Sequence, residues 1–310
     1  MDRLPSGLLR DVTEEEVVRY ENDGVVKLAG ILAPELIAKL AKGINEAIYA
    51  QWETDGIHTY DASAIADGLK ATGVAVLTDA RAESIADAQR GRFLTMAGAH
   101  TINQDIREIA VDSPLGYLAA RLFRSKKVTF YDDQVLLKEP STREYTAYHT
   151  DEPYYHLSGE QVCGMWISPD VVTEESGAMR YVRGSHRWGT FFKANVFVGQ
   201  TSVGNVIPAL QDEEQQVEIP DIQGKPQDYD IVLYTSEPGD MIIHHSNLIH
   251  GSGPNYTTAV TRRAASFRYV GDDVRWRLHR SAHTQTHYKQ DLKDGDIIDS
   301  TEFPVVYRAD

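Results

Sequence analysis

Residues 148–151 read Tyr148-His149-Thr150-Asp151, and residues 250–255 read His250-Gly251-Ser252-Gly253-Pro254-Asn255. In an extended strand, residues i and i+2 point to the same face, so His149 and Asp151 can reach one metal ion from a single strand edge. His250 would arrive from a second strand. Two imidazoles and one carboxylate make up the 2-His-1-carboxylate facial triad, which leaves three cis positions on a ferrous ion open. The two segments therefore predict a non-haem iron site carried by β-strands.

A basic pair, Arg262-Arg263, follows within the strand-like run 261–270. An H-x-D triplet arises often by chance in a chain with 11 His and 46 acidic residues, so the surrounding sequence has to support it. An arginine on the strand after a histidine ligand suits a dicarboxylate co-substrate. One end of such a molecule chelates iron, and the guanidinium fork binds the far carboxylate bidentately. The basic pair therefore favours a metal site over a chance triplet.

Further segments surround these residues in a fixed order along the chain. They are Asp133-Gln134, Lys138-Glu139-Pro140, the run from Gly159 to Asp170, Glu175-Ser-Gly-Ala-Met179, Gly184-Ser-His-Arg-Trp-Gly189 and Pro238-Gly-Asp240. With this series the chain resembles the phytanoyl-CoA dioxygenase-like family of Fe(II)- and 2-oxoglutarate-dependent oxygenases. Weaker likeness extends toward both ends, from Thr13-Glu-Glu-Glu16 to Phe303-Pro-Val-Val306.

The resemblance implies that Fe(II) is held by His149, Asp151 and His250, and that 2-oxoglutarate and O₂ are the co-substrates. It also implies a double-stranded β-helix. Family members that halogenate lack the carboxylate ligand, so the presence of Asp151 favours hydroxylation. Desaturation, ring formation and epoxidation stay open.

Four other residues are candidates for the co-substrate pocket. The resemblance places Trp166 beside 2-oxoglutarate and implies a hydrogen bond from Ser252. Gln134 and Lys138 stand at i and i+4 of a strand and share a face, which makes them a plausible polar lining. Lys138 has the alternative of extending outward so that its ammonium group reaches water.

The chain departs from the family at the arginine. In the family this residue commonly stands eleven positions after the second histidine ligand, whereas here that position is Thr261 and the first arginine is Arg262. A turn longer by one residue, over 255–260, would place Arg262 in the role. Alternation sends Arg262 and Arg263 to opposite faces, so one of them points into the barrel, and we prefer Arg262.

Periodicity predicts a mainly β fold with helical additions and a jelly-roll, cupin-like core, which the resemblance implies to be a double-stranded β-helix. A capping box at Thr13–Glu16, Pro34 and Ser113-Pro114 each mark a helix start. The predicted strands are Val25–Ala29, Val128–Tyr131, Gln134–Lys138, Thr146–His149, Val162–Ile167, Ala178–Val182, Ile231–Tyr234, Met241–His244 and Ala264–Val270.

Two regions and one histidine pair carry weaker signals. Residues 51–100 are mixed and polar and receive no elements, and such a region often supplies a lid or substrate loop. Residues 190–228 are interpreted as an insertion near the mouth of the barrel. His244 and His245 precede His250 on one strand, and a bend near Asn247 would be needed to bring either to the metal.

Composition agrees with one oxygenase domain over residues 1–310. Within it we expect a helical N-terminal cover with the irregular region over 1–125, the core over 126–275 and a tail over 276–310. The formal net charge of −15 argues against a nucleic-acid or anionic-membrane partner and favours a small-molecule substrate. The oligomeric state is left open.

The single cysteine, Cys163, excludes an intrachain disulfide and favours the reducing cytoplasm, which also suits ferrous iron. The N-terminus lacks an apolar leader segment, and no run of 18 apolar residues occurs. We therefore expect a cytoplasmic protein without membrane contact.

The predicted function is an Fe(II)- and 2-oxoglutarate-dependent dioxygenase that hydroxylates an unactivated C–H bond of a small organic metabolite and releases succinate and CO₂. One alternative is a cupin-like metal oxygenase that uses no 2-oxoglutarate, in which Arg262 would be structural. Another is a non-catalytic small-molecule binding protein on the same fold. A zinc hydrolase is disfavoured, because the chain has no helical H-E-x-x-H and no separate general base stands out.

Overall fold

The computed structural model describes residues 4–52, 59–210, 216–280, 282 and 291–309. Four helices in these ranges begin at a residue whose side chain caps the helix: Thr13, Asp61, Asp79 and Asn103. The predicted capping box is confirmed, since Thr13 Oγ1 accepts from the Glu16 amide at 3.2 Å and the Glu16 carboxylate accepts from the Thr13 amide at 2.9 Å. The α-helices are α1 (Glu14–Asp23), α2 (Pro34–Trp52), α3 (Ala62–Ala71), α4 (Ala80–Ser84), α5 (Gln104–Asp112), α6 (Leu115–Phe123) and α7 (Val203–Val206).

The predicted strands are found among the described residues with small shifts at their ends, except that one strand, β4, replaces the two predicted over 128–138. The strands are β1 (Val25–Leu28), β2 (Thr59–Asp61), β3 (Phe93–Ala97), β4 (Lys127–Lys138), β5 (Thr146–His149), β6 (Leu157–Ser158), β7 (Val162–Ile167), β8 (Met179–Val182), β9 (Ile231–Tyr234), β10 (Met241–His245), β11 (His250–Ser252), β12 (Arg262–Val270), β13 (Arg275–Trp276) and β14 (Val305–Arg308). The structure adds β2, β3, β6, β13 and β14, which the sequence did not predict, and β11 is the second strand expected to carry His250.

Twelve of the strands form a large and a small antiparallel sheet, and β6 pairs with β13 in a separate two-stranded sheet. The large sheet has the order β1-β10-β7-β12-β4-β3-β2, with β14 pairing β4 beside this path, and the small sheet has the order β5-β11-β8-β9. Apolar side chains of both sheets pack between them, with Trp166 and Ile242 from the large sheet and Tyr181 from the small one. The predicted jelly-roll core is confirmed.

The other face of the large sheet is covered by helices. Leu40 and Ile44 of α2 belong to the same buried cluster as Ile243 of β10 and Phe267 of β12. Alternation along each strand therefore sends Ile243 toward the helices and its neighbours Ile242 and His244 toward the interior between the sheets. Cys163 is fully buried in the helical cluster, as a small apolar residue would be.

The sheets extend beyond residues 126–275. Strands β1, β2 and β3 come from the N-terminal region and β14 from the tail, so the first 125 residues are more than a helical cover. Residues 59–100, to which the sequence assigned no elements, hold α3, α4, β2 and β3. The proposed lid or substrate loop partly falls on residues 53–58, which lie outside the described ranges. The division into cover, core and tail stays a prediction.

Residues 190–228 connect β8 to β9, as expected for an insertion between strands. The described part of this segment packs on β5, where the Ala147 amide donates to the Phe197 carbonyl at 2.8 Å. Phe197 lies over His149, with ring centroids 5.8 Å apart. The insertion therefore covers one side of the candidate metal site.

Within the described ranges, no helix combines the length and the apolar character needed to cross a lipid bilayer.

Candidate metal centre

His149 and His250 are direct partners in the small sheet. His149 ends β5 and His250 begins β11, and the antiparallel register places the two residues opposite each other. Side chains of such a pair lie on one face, and the ring centroids are 4.3 Å apart. The pairing of two strands distant in sequence therefore brings both imidazoles to one point inside the barrel.

Both rings are oriented by a carbonyl two residues earlier in the chain. His149 Nδ1 lies 2.8 Å from the Ala147 carbonyl oxygen, and His250 Nδ1 lies 2.9 Å from that of Leu248. An Nδ1–H donor to each carbonyl leaves the Nε2 lone pair free. This hydrogen bond is the arrangement by which proteins commonly hold a metal-ligating histidine.

Asp151 reaches the site from a turn, not from the strand. Strand β5 ends at His149, and Asp151 has helical backbone angles, φ −79° and ψ −30°. Its amide donates to the Ser246 carbonyl at 2.7 Å, which fixes the turn. Oδ1 of Asp151 lies 3.6 Å from His149 Nε2 and 3.8 Å from His250 Nε2. The three side chains thus converge, although the geometry differs from the expected single strand edge.

The pKa values of Asp151 and His250 are shifted in the directions that favour binding of a cation. Burial alone would raise the pKa of Asp151, but the imidazoles of His149, His244 and His250, with Arg268, hold it well below its usual range. Burial, assisted by the neighbouring imidazoles, holds the pKa of His250 well below its ordinary value. The site therefore offers an ionised carboxylate and a neutral imidazole, the protonation states that metal ligands require.

The donor set fits a ferrous ion. One ligand atom from each of His149, Asp151 and His250 lies within 4.8 Å of the others, and all three residues are buried. Two imidazole nitrogens and one carboxylate oxygen match the facial triad in number and type.

Arg262 points into the barrel and is 1% exposed. Its Nε and Nη1 atoms have no hydrogen-bond partner among the described residues. The guanidinium carbon lies 5.8 Å from the ring centroid of Trp166, whose Nε1 also lacks a partner there. Burial lowers the pKa of Arg262 to about 10, yet the group stays protonated at neutral pH. A buried, unpaired cation is costly, so these donors fit the carboxylate of a ligand such as 2-oxoglutarate.

Arg263 points the other way. Its Nη2 donates to Asp170 Oδ1 at 2.6 Å, and Nη1 donates to Asn45 Oδ1 at 3.1 Å. The longer turn is closed by Asn255, whose side-chain amide donates to the carbonyls of Lys138 and Val260 at 3.0 and 2.8 Å. The added residue in the turn thus leaves Arg262, and not Arg263, on the interior face.

Lys138 does not extend to water. It is the register partner of Arg262 and is fully buried. Its Nζ donates to Ser252 Oγ at 3.1 Å and to the carbonyls of Glu144 and Gly253 at 3.0 and 2.7 Å. Burial, and then the charge of Arg262, hold the pKa of Lys138 well below its usual value. Lys138 and Ser252 therefore lie at the Arg262 end of the barrel.

Gln134 lies elsewhere. Its Oε1 accepts from Arg268 Nη2 at 2.7 Å, and its Nε2 donates to Thr95 Oγ1 at 2.7 Å. Arg268 also donates from Nε to the Tyr155 hydroxyl at 2.6 Å. Gln134 is thus grouped with Arg268 and not with Arg262, and its predicted contact with 2-oxoglutarate stays a prediction.

Two further side chains lie beside the candidate ligands: His244, which the sequence expected to reach the metal only through a bend near Asn247, and Tyr181, to which it gave no role. His244 lies on the opposite sheet, with its ring centroid 4.4 Å from that of His250. Tyr181 pairs with His250 in β8 and stacks on its ring at 5.8 Å. The alternation of β10 indicates that His244 shares a face with Ile242, but nothing local to the sequence says that this face meets the small sheet.

A second buried cluster, His100 with Asp132 and Asp133, also has metal-ligand atoms within 4.8 Å of one another. Asp133 already accepts from the backbone amides of Ala99 and His100 at 3.1 and 3.0 Å, and it bonds to the His100 ring. Because these donors use both carboxylate oxygens, the cluster is explained as a structural network.

Comparison with protein families gives a match to the model described as phytanoyl-CoA dioxygenase (PhyH), over residues 20–264. A probable alpha-ketoglutarate-dependent hypophosphite dioxygenase of Stutzerimonas stutzeri is 26% identical over 162 residues, which cover 51% of this chain and 50% of the relative. A probable phytanoyl-CoA dioxygenase of Caenorhabditis elegans is 28% identical over 127 residues, covering 41% and 36%. The chain thus spans half or less of the length of these two curated relatives.

Solved structures agree with the fold. The non-haem alpha-ketoglutarate-dependent carbocyclase SnoK from nogalamycin biosynthesis superposes with a TM-score of 0.65 at 20% identity, covering 98% of this chain and 100% of that one. EctD from S. alaskensis with bound Fe gives a TM-score of 0.59 at 16% identity, covering 90% and 85%. At these identities the likeness establishes a shared architecture.

Proposed function

This chain belongs to the phytanoyl-CoA dioxygenase family, and from that premise we propose that it is an Fe(II)- and 2-oxoglutarate-dependent dioxygenase. The proposed reaction is hydroxylation of an unactivated C–H bond in a small organic metabolite, with release of succinate and CO₂. The observation that carries the proposal is Arg262, a fully buried guanidinium whose Nε and Nη1 find no partner in the described part of the barrel. These guanidinium donors fit an anionic group bound inside the same barrel that holds the triad.

Three side chains would hold the iron. His149 and His250 present Nε2, because a carbonyl engages Nδ1 of each ring. Asp151 adds one negative charge, and its lowered pKa favours the ionised carboxylate. The remaining positions on the ion stay available to the co-substrate and O₂.

The far end of 2-oxoglutarate would be bound by Arg262. Two adjacent N–H groups of a guanidinium match the two oxygens of a carboxylate, and a low dielectric strengthens the pair. Trp166 Nε1 and the Tyr181 hydroxyl are two more buried groups without a partner in the described ranges, and they add hydrogen-bonding capacity to this interior. Lys138 and Ser252 line the same end.

When bound, Fe(II) and 2-oxoglutarate supply the oxidising chemistry, with O₂ consumed and the co-substrate leaving as succinate and CO₂. The chain contributes orientation and exclusion of water. Rings of Tyr154 and Phe197 pack against His149 at 5.9 and 5.8 Å, and Tyr181 covers His250 at 5.8 Å. Such a wall protects a reactive site from bulk solvent.

The substrate is proposed by class only. A net charge of −15 supports a small molecule over a nucleic acid. Proteins that share the fold include one named a carbocyclase and one named an epimerase, so the architecture alone does not select hydroxylation. The carboxylate ligand Asp151 supports hydroxylation over halogenation, since it fills the position that a halide would need.

The test is an anaerobic titration of metal-free protein with Fe(II) and then 2-oxoglutarate, recording the visible charge-transfer absorption of the chelate. We expect the band in the wild type and its loss in His149→Ala. Iron binding without the band would contradict the proposal and indicate an oxygenase that does not use 2-oxoglutarate. Failure to bind iron would contradict it as well and indicate a non-catalytic binding protein.

A further inference from the structure

A fourth imidazole, that of His244, faces the triad from the large sheet. His244 lies on the interior face of β10 and is 2% exposed. Its ring is 4.4 Å from that of His250 and 5.4 Å from that of Tyr181, measured between centroids. The two sheets therefore approach each other here through histidine rings, not through apolar side chains.

The His244 ring is buried without a close hydrogen bond. Neither Nδ1 nor Nε2 makes one to any residue that the structure describes, and Nε2 comes no nearer than the 3.4 Å that separate it from the Asp151 carboxylate. Leaving polar nitrogens unpaired away from water is unfavourable, and native proteins rarely do so without a functional reason. The role of this ring is therefore to be sought in the site that it faces.

The nearest acceptor is the outer oxygen of Asp151. His244 Nε2 lies 3.4 Å from Asp151 Oδ2, whereas His149 and His250 approach the other oxygen, Oδ1, at 3.6 and 3.8 Å. The two oxygens of this carboxylate therefore face different groups. Oδ1 faces the two candidate histidine ligands, and Oδ2 faces His244.

We propose that His244 is a positioning residue whose Nε2–H binds Oδ2 of Asp151 and keeps this carboxylate monodentate, with Oδ1 alone directed at the metal. This inference rests on the proposed function. Carboxylates can bind a cation through one oxygen or through both. A second oxygen would occupy one of the three positions that a chelating co-substrate and O₂ require, so a donor that holds Oδ2 preserves the open face.

A role as a fourth metal ligand fits less well, because His244 does not belong to the group of described ligand atoms that all lie within 4.8 Å of one another. Tyr155 is a second polar neighbour of Asp151; its hydroxyl accepts from Arg268 at 2.6 Å and keeps its own O–H to donate to this carboxylate. The approach to Oδ2 that the structure shows is that of His244 Nε2, at 3.4 Å, and His244 is therefore our candidate for this oxygen.

The adjacent strand makes room for this ring. Gly164 of β7 is the register partner of His244, and a Cβ added at Gly164 would lie 2.7 Å from His244 Nε2 and 2.8 Å from its Cε1. Any larger residue at 164 would push the ring away from its present position. Gly164→Ala therefore displaces His244 without removing it.

The experiment measures Co(II), an air-stable substitute for Fe(II), binding to metal-free protein by calorimetry, together with the visible d–d spectrum of the bound ion. His244→Leu should bind about 10- to 100-fold more weakly, the usual effect of losing a hydrogen bond to a ligand, and its spectrum should change. His244→Gln retains an N–H donor and should recover both affinity and spectrum. His245→Gln, on the opposite face of the same strand, is the matched control and should resemble the wild type.

Wild-type affinity and spectrum in His244→Leu would overturn the inference, and so would a His244→Gln protein as impaired as His244→Leu. If His244→Leu does not fold, Gly164→Ala replaces it: the same loss supports the role of His244, and unchanged Co(II) binding refutes it. A wild-type protein that binds no Co(II) would refute the proposed metal site itself, which separates failure of the function from failure of this inference.

Discussion

Lys138 Nζ lies 3.1 Å from Ser252 Oγ and so ties β4 of the large sheet to β11 of the small one. Ser252 in turn donates to Thr146 Oγ1 at 3.1 Å, on β5. The lysine also donates to the carbonyls of Glu144 and Gly253. This closed network holds the two sheets at a fixed separation at the end of the barrel where Arg262 lies.

Lys138→Met should lower the free energy of unfolding by about 2–5 kcal/mol, because the buried carbonyls of Glu144 and Gly253 lose their donor. Urea denaturation measures this. Lys39→Met is the matched control, since Lys39 forms only a part-exposed ion pair with Glu108 and should change stability by less than about 1 kcal/mol. Equal losses in the two variants would contradict a structural role for the Lys138 network.

Arg262→Ala should raise the dissociation constant of 2-oxoglutarate by about 30-fold or more, since truncating one partner of a buried charge pair costs roughly 2–5 kcal/mol. Arg263→Ala is the control, because Arg263 is bound to Asp170 on the outer face. Titration of the Fe(II) protein with 2-oxoglutarate reports both constants. A larger increase of the dissociation constant in Arg263→Ala than in Arg262→Ala would mean that Arg263 binds the co-substrate.

Asp151→Ala should weaken Fe(II) binding by about 100-fold or more and abolish 2-oxoglutarate-dependent turnover, because the two histidines that remain supply no negative charge to the ion. Iron retention after gel filtration and succinate release are the measurements. Asp230→Ala is the control, since that carboxylate forms an exposed ion pair with Arg183. Full activity in Asp151→Ala would show that Asp151 is not a metal ligand.

Much of the site was predictable because local sequence patterns determine it. Strands β5, β7 and β9 begin and end at the predicted residues, since each is a short apolar run bounded by turn residues. Alternation along β12 separates Arg262 from Arg263 without knowledge of any partner strand. The pairing of His149 with His250 followed from the resemblance and from the need of one metal for three ligands.

Other features depend on contacts between distant segments. The position of His244 beside Asp151 exists because β10 and β5 lie in different sheets that face each other, and no local pattern specifies that. The hydrogen bond between Gln134 and Arg268 likewise joins β4 to β12 and was not predicted from the sequence. The elements in residues 59–100 could not be predicted from the sequence, because β3 depends on its pairing with β4 more than on a periodic pattern of its own.

His245 provides a pH-dependent test of the fold. Its Nδ1 accepts from the Asn247 amide at 3.1 Å, its Nε2 lies 3.6 Å from the exposed Glu160 carboxylate, and the His186 ring is 5.2 Å away. Burial, followed by the neighbouring imidazoles of His186 and His244, lowers the pKa of His245 from 6.5 to about 4. The folded protein therefore keeps this ring neutral where the unfolded chain protonates it.

Because the unfolded state binds the additional proton between about pH 6.5 and 4, stability should be complete above this window and fall as the pH drops through it. The His245 contribution to that loss is about 3 kcal/mol for the full shift from 6.5 to about 4. His245→Gln cannot take up the proton, so its free energy of unfolding, measured in urea from pH 8 to pH 4.5, should decline less steeply than that of the wild type. Acidic groups titrate in both proteins and cancel in the difference. The difference between the two proteins should be constant above about pH 7, and parallel curves below it would mean that His245 is not held neutral by the fold.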